Sequence, residues 1–432
     1  MKRTAAKTVF VGTLSFLASS VFLGACGQPL IRPTANREWI QQFGSGDEDR
    51  AISLAVDEAG NVYVVGYTDG TLPGQSRIGE RDAFVIKYDA GGKELWIRQF
   101  GTEGRDVAYS LALDSEGNVY GVGYTSGTFP GQTNSGGVDA FVVKYDAAGK
   151  ELWSRQFGSE YTDVAVSLAV DGEGNVYVSG GTKGSLPGQA SSGDEDAFVI
   201  KYDATGNELW IHQFGTKDFD GADAIAVDGA GNIYVAGSTR GTLPGQTRVG
   251  EGDVFVRKYD ASGQELWTRQ FGTRDLDGTY SLAMDSGGNV WISGHTQGTF
   301  PGQTSAGKWD AFVAKYDADG KELWTHQFGT VDDDAAYAIA VDGEGNVYMA
   351  GSTEGTLPGQ TNAGGEDAFV VKYDAGGKQL WIRQFGTESL DVAYSLAVNR
   401  GGNVWISGHT QGTFPGQTSA GGQDAFVLKY GR

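Results

Sequence analysis

The chain has 432 residues with a formal charge of −21, 69 glycines, nine prolines and a single cysteine. An acidic balance of this size repels phosphate backbones and argues against a nucleic-acid partner over most of the surface. One cysteine allows no intrachain disulfide, and a hydrophobic fraction of 39% suits a soluble globular body and not a membrane-spanning one.

In chain order, residues 1–25 predict a secretory leader. Lys2, Arg3 and Lys7 precede an apolar stretch from Val9 to Gly24 that only Thr and Ser interrupt. It is too short and too polar for a transmembrane helix. It ends in Leu23-Gly24-Ala25-Cys26, which resembles the bacterial lipobox. That resemblance implies a diacylglycerol on the Cys26 thiol and a membrane partner through the lipid. A generic secretory signal with an incidental cysteine is the alternative. Residues 26–37 then form the lipidated cysteine and a tether with Pro29 and Pro33. Gly27 stands where an Asp would follow the cysteine. By resemblance to the sorting of many Gram-negative lipoproteins, this points to the outer membrane or cell surface.

From residue 38 to 432 the chain repeats. Trp39, Trp96, Trp153, Trp210, Trp267, Trp324 and Trp381 lie 57 residues apart, each opening a W-x-x-Q-F-G unit. A fixed period of this length decides the architecture before any local reading. Each unit carries four strand signals between turn signals. In one unit they are Val107–Leu113 after Asp106, then Val119–Thr125, then Asp139–Tyr145 after a loop through Phe129-Pro130-Gly131-Gln132, then Glu151–Phe157. Four antiparallel strands per repeat predict a propeller blade, and no stretch shows a helical period.

The ends predict closure. The repeat region enters on a fourth-type strand, Glu38 to Phe43, and leaves after a third-type strand, Asp424 to Tyr430. Pairing the two completes the last blade and removes the edges that an open array would leave. The fold class expected is therefore all-β: one closed seven-bladed β-propeller whose last blade is completed by the N-terminal strand. First strands such as Ala51–Val56 are rich in Ala and Ser, which suits a narrow centre.

The segment Asp139-Ala140-Phe141-Val142-Val143-Lys144-Tyr145-Asp146, with Gly123-Tyr124-Thr125 and Phe129-Pro130 before it, resembles the bacterial SBBP propeller repeat. Members of that family are mostly large or surface-exposed proteins of unassigned activity, so the resemblance implies a fold and no catalytic residues. The element Asp146-Ala147-Ala148-Gly149-Lys150-Glu151-Leu152-Trp153 is similar to the tryptophan-docking motif of quinone-dependent dehydrogenases. Many of those carry a vicinal cysteine pair, absent from this body, so no cofactor is expected. Gly287–Gly307 is identical to Gly401–Gly421, which points to late duplication of a two-blade unit.

Usual catalytic signatures are missing: no G-x-S-x-G elbow, no H-E-x-x-H pair and no phosphate loop. No catalytic residue and no metal ligand is assigned. The four histidines form two repeat-matched pairs, His212 with His326 and His295 with His409, as duplicated surface or packing residues would. Asp49, Asp106, Asp163, Asp220, Asp277, Asp334 and Asp391 recur just before each first strand. They read either as a ring of carboxylates at the channel mouth or, preferably, as acceptors of backbone N–H groups in their turns. The repeated Pro, Gly and Gln of Phe129-Pro130-Gly131-Gln132 and the seven Trp read as fold chemistry.

Variation between units collects in two loops. One joins fourth to first strands (46–48, 160–162, 217–219), and the other joins second to third strands (77–81, 308–309). Strand alternation puts both on one face. Tyr67, Tyr124, Tyr161, Phe219, His295, Trp309 and His409 are the candidate ligand residues there. Relaxed drift in solvated loops is the competing reading. The function expected is a non-enzymatic envelope protein binding a protein or glycan. The alternatives are a structural protein without a small ligand and a polysaccharide-active hydrolase or lyase, which would need two carboxylates in unlike environments.

Overall fold

The computed structural model describes residues 37–431. The leader, Cys26 and the tether up to residue 36 lie outside the described residues. Every expected strand is present. Blade 1 consists of Asp49–Val56, Val62–Thr68, Asp82–Tyr88 and Glu94–Phe100, hydrogen-bonded in that order from the inside out. Blades 2 to 6 repeat this antiparallel order over 106–157, 163–214, 220–271, 277–328 and 334–385, and blade 7 takes its strands from 391–430 and from Arg37–Phe43. Among the described residues there is no helix.

Second and third strands are rich in Val, Tyr and Phe and are buried on both faces, as in Val62–Thr68 and Asp82–Tyr88. A strand sandwiched on both sides needs a continuous apolar run. The core accordingly lies in seven wedges, each filled from two adjacent blades. Tyr63, Val65 and Val85 of blade 1, for example, meet Ala108, Leu111, Phe141 and Val143 of blade 2.

The repeated Trp ties each blade to the next. Trp96 donates Nε1–H to the Ala147 carbonyl at 3.2 Å, in the outer turn of the following blade. Gly149 in that turn has φ +77°, and a Cβ there would lie 2.9 Å from the Trp96 ring. Left-handed backbone and lack of room both demand glycine.

The repeated Gln is a second tie, this time within a blade. Gln99 Nε2 donates to the Gly70 carbonyl at 2.9 Å and to Asp82 Oδ2 at 2.7 Å, while Oε1 accepts Leu72 N–H at 3.0 Å. The Gln99 N–H donates to Oε1 of Gln75 at 3.1 Å. One side chain thus straps the Leu72-Pro73-Gly74-Gln75 loop to the fourth strand. Gln42, Gln156, Gln213, Gln270, Gln327 and Gln384 do the same in the other blades.

Closure follows from the N-terminal strand. Trp39 pairs with Lys429 and Gln42 with Phe426 in the antiparallel ladder to Asp424–Tyr430. Ile40 is buried in the last wedge, and Gln42 donates to Asp424 and to the Gly412 carbonyl. Ile40→Ala is expected to lower stability by about 2–4 kcal/mol in denaturant melts, as a buried Ile truncation does. Deleting residues 1–44 should expose the Asp424–Tyr430 edge and give self-association in size-exclusion chromatography together with a lower melting temperature. A monodisperse deletion variant with an unchanged melting temperature would refute this closure.

Candidate binding face around the channel mouth

Each first strand carries a β-bulge at the same place, between Ala51 and Ser53 in blade 1 and at the matching point in the other six. A bulge leaves one residue out of the ladder and re-aims its side chain. Those residues are Ile52, Tyr109, Val166, Asp223, Tyr280, Tyr337 and Tyr394, all half-buried on the innermost strands. The centre is therefore lined by large side chains as well as small ones, which the Ala and Ser content of these strands did not suggest.

From the bulge a line of side chains runs outward to the end of the second strand and the start of the third, interrupted by Gly181 in blade 3 and cut short by Gly252 in blade 4. In blade 5, Tyr280 meets His295 (ring centroids 4.9 Å apart), and His295 meets Trp309 at 4.5 Å. Blade 7 stacks Tyr394 on His409 at 5.3 Å, and blade 2 places Tyr109 against Tyr124 at 5.8 Å. In blade 4 the Ser238 hydroxyl donates to Asp223 Oδ2 at 3.1 Å. Ser352 of blade 6 lies beside both Tyr337 and Glu366. In blade 1 the Arg81 guanidinium sits 3.8 Å from the Tyr67 ring centroid. Neighbouring lines touch at the channel, with Tyr280 and Tyr337 at 4.8 Å and Tyr337 and Tyr394 at 5.7 Å.

The closing junction of blades 7 and 1 carries an ion-pair network at this rim. Arg50 pairs with Glu48 at 2.6 Å and donates to Tyr394 Oη and to Gln423 Oε1, both at 3.1 Å. Arg81 pairs with Asp69 and Glu48, and Tyr67 donates to Glu48 at 2.8 Å. A polar cleft of about 780 Å³ opens beside it, lined in part by Asp47, Glu48, Asp69, Arg77 and Glu80.

Five of the seven candidate ligand residues thus lie on these lines: Tyr67, Tyr124, His295, Trp309 and His409. Their exposure differs. Tyr67 and His409 are buried at 6% and 2%, so neither offers its ring to a ligand from outside. Burial also lowers the imidazole pKa, to about 4 for His295 and about 3 for His409, so both are neutral at pH 7. Tyr161 and Phe219 lie apart from the channel, in the loops before the first strands of blades 3 and 4. Tyr161 is 56% exposed and borders a cavity of about 490 Å³ with Lys183 and Ser191. Phe219 is half-buried beneath Arg240. Parallel bridges such as Arg81 to Arg105 and Trp309 to Asp333 join the two variable loops across blade junctions, so the loops share one face. The other histidine pair packs at the outside: His212 stacks on Tyr259 and His326 on Tyr373.

Of the two readings of the repeated aspartates, the structure favours turn acceptors and corrects the placement at a channel mouth. Asp49, Asp106, Asp163, Asp220, Asp277, Asp334 and Asp391 are 0–4% exposed. They lie inside the blade junctions, where no solvated ring of charge can form. Each accepts turn donors, as Asp163 does from Ser159 N–H at 2.7 Å and Ser159 Oγ at 3.0 Å. Each also faces a second buried aspartate from the preceding blade that the repeat pattern had not singled out. Between Asp139 and Asp163 sits Gly158, whose Cβ, if present, would lie 2.7 Å from an oxygen of each. Burial raises Asp49 and Asp277 to about 6 and Asp334 to about 7, with the facing Asp424, Asp253 and Asp310 adding to the rise.

Carboxyls whose pKa is raised on folding bind protons more tightly in the native state, so they favour it at low pH. That contribution is present near pH 4 and is lost as pH rises through 6 to 7. Around Asp334 the main contributions besides burial come from Thr330, Thr353 and Asp310. The depressed pKa values of His295 and His409 act in the opposite direction below pH 6.5. The melting temperature is expected to fall between pH 5 and pH 8, and Asp334→Asn should shrink that fall. An identical pH profile in the variant would remove Asp334 from the titration.

Among known proteins, five segments match the family described as a beta-propeller repeat, SBBP: residues 38–73, 95–130, 152–187, 209–243 and 323–357. The regulatory protein FlaEY of Caulobacter vibrioides is 28% identical over 65% of this chain and 33% of its own length. A WD repeat-containing protein of Acanthamoeba polyphaga mimivirus is 24% identical over 86% of this chain and 30% of its own. The chain thus spans about a third of the length of these relatives. A quinone-dependent 1-butanol dehydrogenase of Thauera butanivorans is 32% identical over only 24% of this chain and 17% of its own length. Among solved structures, the polysaccharide lyase Uly1 superposes with a TM-score of 0.52 at 14% identity, covering 94% of this chain and 95% of that one. The Pan2 WD40 domain of Neurospora crassa gives 0.50 at 11%, covering 92% and 96%. At such identities these likenesses show the fold alone. The five repeat matches recur in register around a ring of seven four-stranded blades, and the chain carries the SBBP β-propeller repeat.

Proposed function

We propose that the chain is a non-enzymatic binding propeller of the bacterial cell envelope, held by a lipid on Cys26, whose loop-bearing face captures a protein or a glycan. One observation carries this reading. The positions that make the ring are nearly the same in every blade, whereas the lines of side chains from the bulge to the third strand differ from blade to blade. A rigid scaffold presenting unlike side chains on one face is the usual layout of a binding surface. The repeated aspartates are buried in like surroundings, which speaks against their use as an acid and base pair. Identity between Gly287–Gly307 and Gly401–Gly421 favours a second reading, a structural envelope protein without a small ligand.

The test is capture by the full chain on a glycan array and from envelope extracts, with variants on and off the face. Trp309→Ala and Tyr161→Ala should each weaken retention of a captured ligand by roughly tenfold or more, as hot-spot aromatics do. Glu58→Gln, exposed in a turn on the opposite face, should change nothing. Equal retention by all three variants would remove the loop face as the site. No capture at all would favour the structural reading.

A further inference from the structure

At the channel wall blades 1, 3 and 4 depart from the tyrosine that the other four blades carry at the bulge, and blade 4 departs most sharply. At the bulge position Asp223 is the one carboxylate, where the other blades have Ile52, Val166 and four tyrosines. Ser238 holds its Oδ2 at 3.1 Å, and among the described residues no donor bonds to Oδ1. Desolvation at the channel wall raises its pKa to about 7, with the Glu195 charge adding to the rise. Two blades on, Glu366 is half-buried beside Ser352. The cation whose charge acts on it, Arg50, is already engaged by Glu48, Gln423 and Tyr394. Between the two carboxylates lies an aromatic surface: Tyr280 against Tyr337 at 4.8 Å, with His295 and Trp309 behind Tyr280. Glu195 is paired with Lys183 at 3.7 Å, whereas no ion pair to Asp223 or Glu366 is formed among the described residues.

Carboxylates without a cationic partner, set beside electron-rich ring faces, provide the two attractions that an organic cation gains on leaving water. A neutral sugar would meet the same rings but leave the carboxylates uncompensated, which is unfavourable in a partly desolvated site. The strongly acidic chain also draws cations toward the mouth over longer distances. We propose that this wall is a binding site for a primary ammonium group, carried by a free polyamine or by a lysine side chain of a protein, with Asp223 and Glu366 as counter-charges and Tyr280 and Tyr337 as the aromatic surface. This deepens the loop-face reading and rests on it, because the ligand must enter from that face.

The experiment is isothermal titration of the full chain with spermidine, with a short lysine-bearing peptide, and with the same peptide acetylated at Nε. Saturable binding of spermidine or of the lysine peptide is expected, and whichever binds identifies the source of the ammonium group. Acetylation removes the charge and should abolish peptide binding. Asp223→Asn and Glu366→Gln should each weaken the amine by roughly tenfold or more, as loss of a charge-assisted contact does. Glu388→Gln, an exposed acid on the same face outside this wall, should leave it unchanged. Melting temperatures establish that each variant is folded, and Glu366→Gln decides the matter alone if Asp223→Asn is not. Equal binding of the acetylated peptide, equal loss in Glu388→Gln, or no binding of either amine would overturn the proposal. If a glycan or envelope protein is captured in a Trp309-dependent way while amines fail, this site falls and the loop-face reading stands. If capture fails as well, both fall.

Discussion

The structure depends on one strand pairing between residues far apart in sequence. Arg37–Phe43 must find Asp424–Tyr430 before blade 7 is complete, and until it does the chain is a curved row of sheets with an incomplete end. Loop closure over such a distance is unfavourable in entropy, but its dependence on length is only logarithmic. It is offset by a full antiparallel ladder, by Ile40 in the last wedge, and by the amide of Gln42, which reaches both Asp424 and the Gly412 carbonyl. Closure also creates the channel, since only in a ring do seven bulged residues face a common centre. The Arg50 contacts to Gln423 and Tyr394 cross the same seam at the rim, so the seam is fastened in the sheet and again at the mouth.

Within the closed ring, two classes of residue divide the labour. Trp96 and its equivalents hold one blade to the next, and Gln99 and its equivalents hold loop to strand. The paired aspartates around Gly158 and its counterparts fill the junctions. All of these recur because every blade poses the same packing problem. Side chains on the lines from Ile52 to Arg81, from Asp223 to Ser238 and from Tyr280 to Trp309 solve no common problem, and their chemistry is free to differ. Exposure follows that division. The repeated aspartates have almost none, whereas the bulge residues are half-open to the lumen.

Much of this was legible from residues alone. The spacing of the tryptophans gave the blade count, and the turn glycines and Asn residues bounded strands that match the observed ones, such as Val119–Thr125 and Asp139–Tyr145. The unlike ends of the repeat region foretold the closing pair. Less legible was depth. Asp163 looks like a turn residue near a channel, and only the packing of the preceding blade shows that it is sealed against Asp139. The bulge was hidden because one extra residue per strand leaves the repeat period unchanged, while shifting Tyr109 or Asp223 off the ladder and toward the lumen. A signal was nonetheless present: position four of the first strand reads Ile, Tyr, Val, Asp, Tyr, Tyr, Tyr, while positions three, five, six and seven hardly vary. Tyr67 and His409 misled in the opposite sense, since aromatic residues near a variable loop turned out to be enclosed by Arg81 and Tyr394.

The matched segments do not coincide with blades. Residues 95–130, for instance, begin with the outermost strand of blade 1 and end just past the second strand of blade 2. The sequence repeat of the family is therefore out of phase with the unit that folds. Duplication or loss of whole copies would change how many sheets surround the lumen, and every resulting chain would still start with a lone outer strand and finish three strands into a sheet. Ring size can drift in such a lineage without any redesign of the seam, and the width of the lumen becomes a quantity that gene duplication alone can tune.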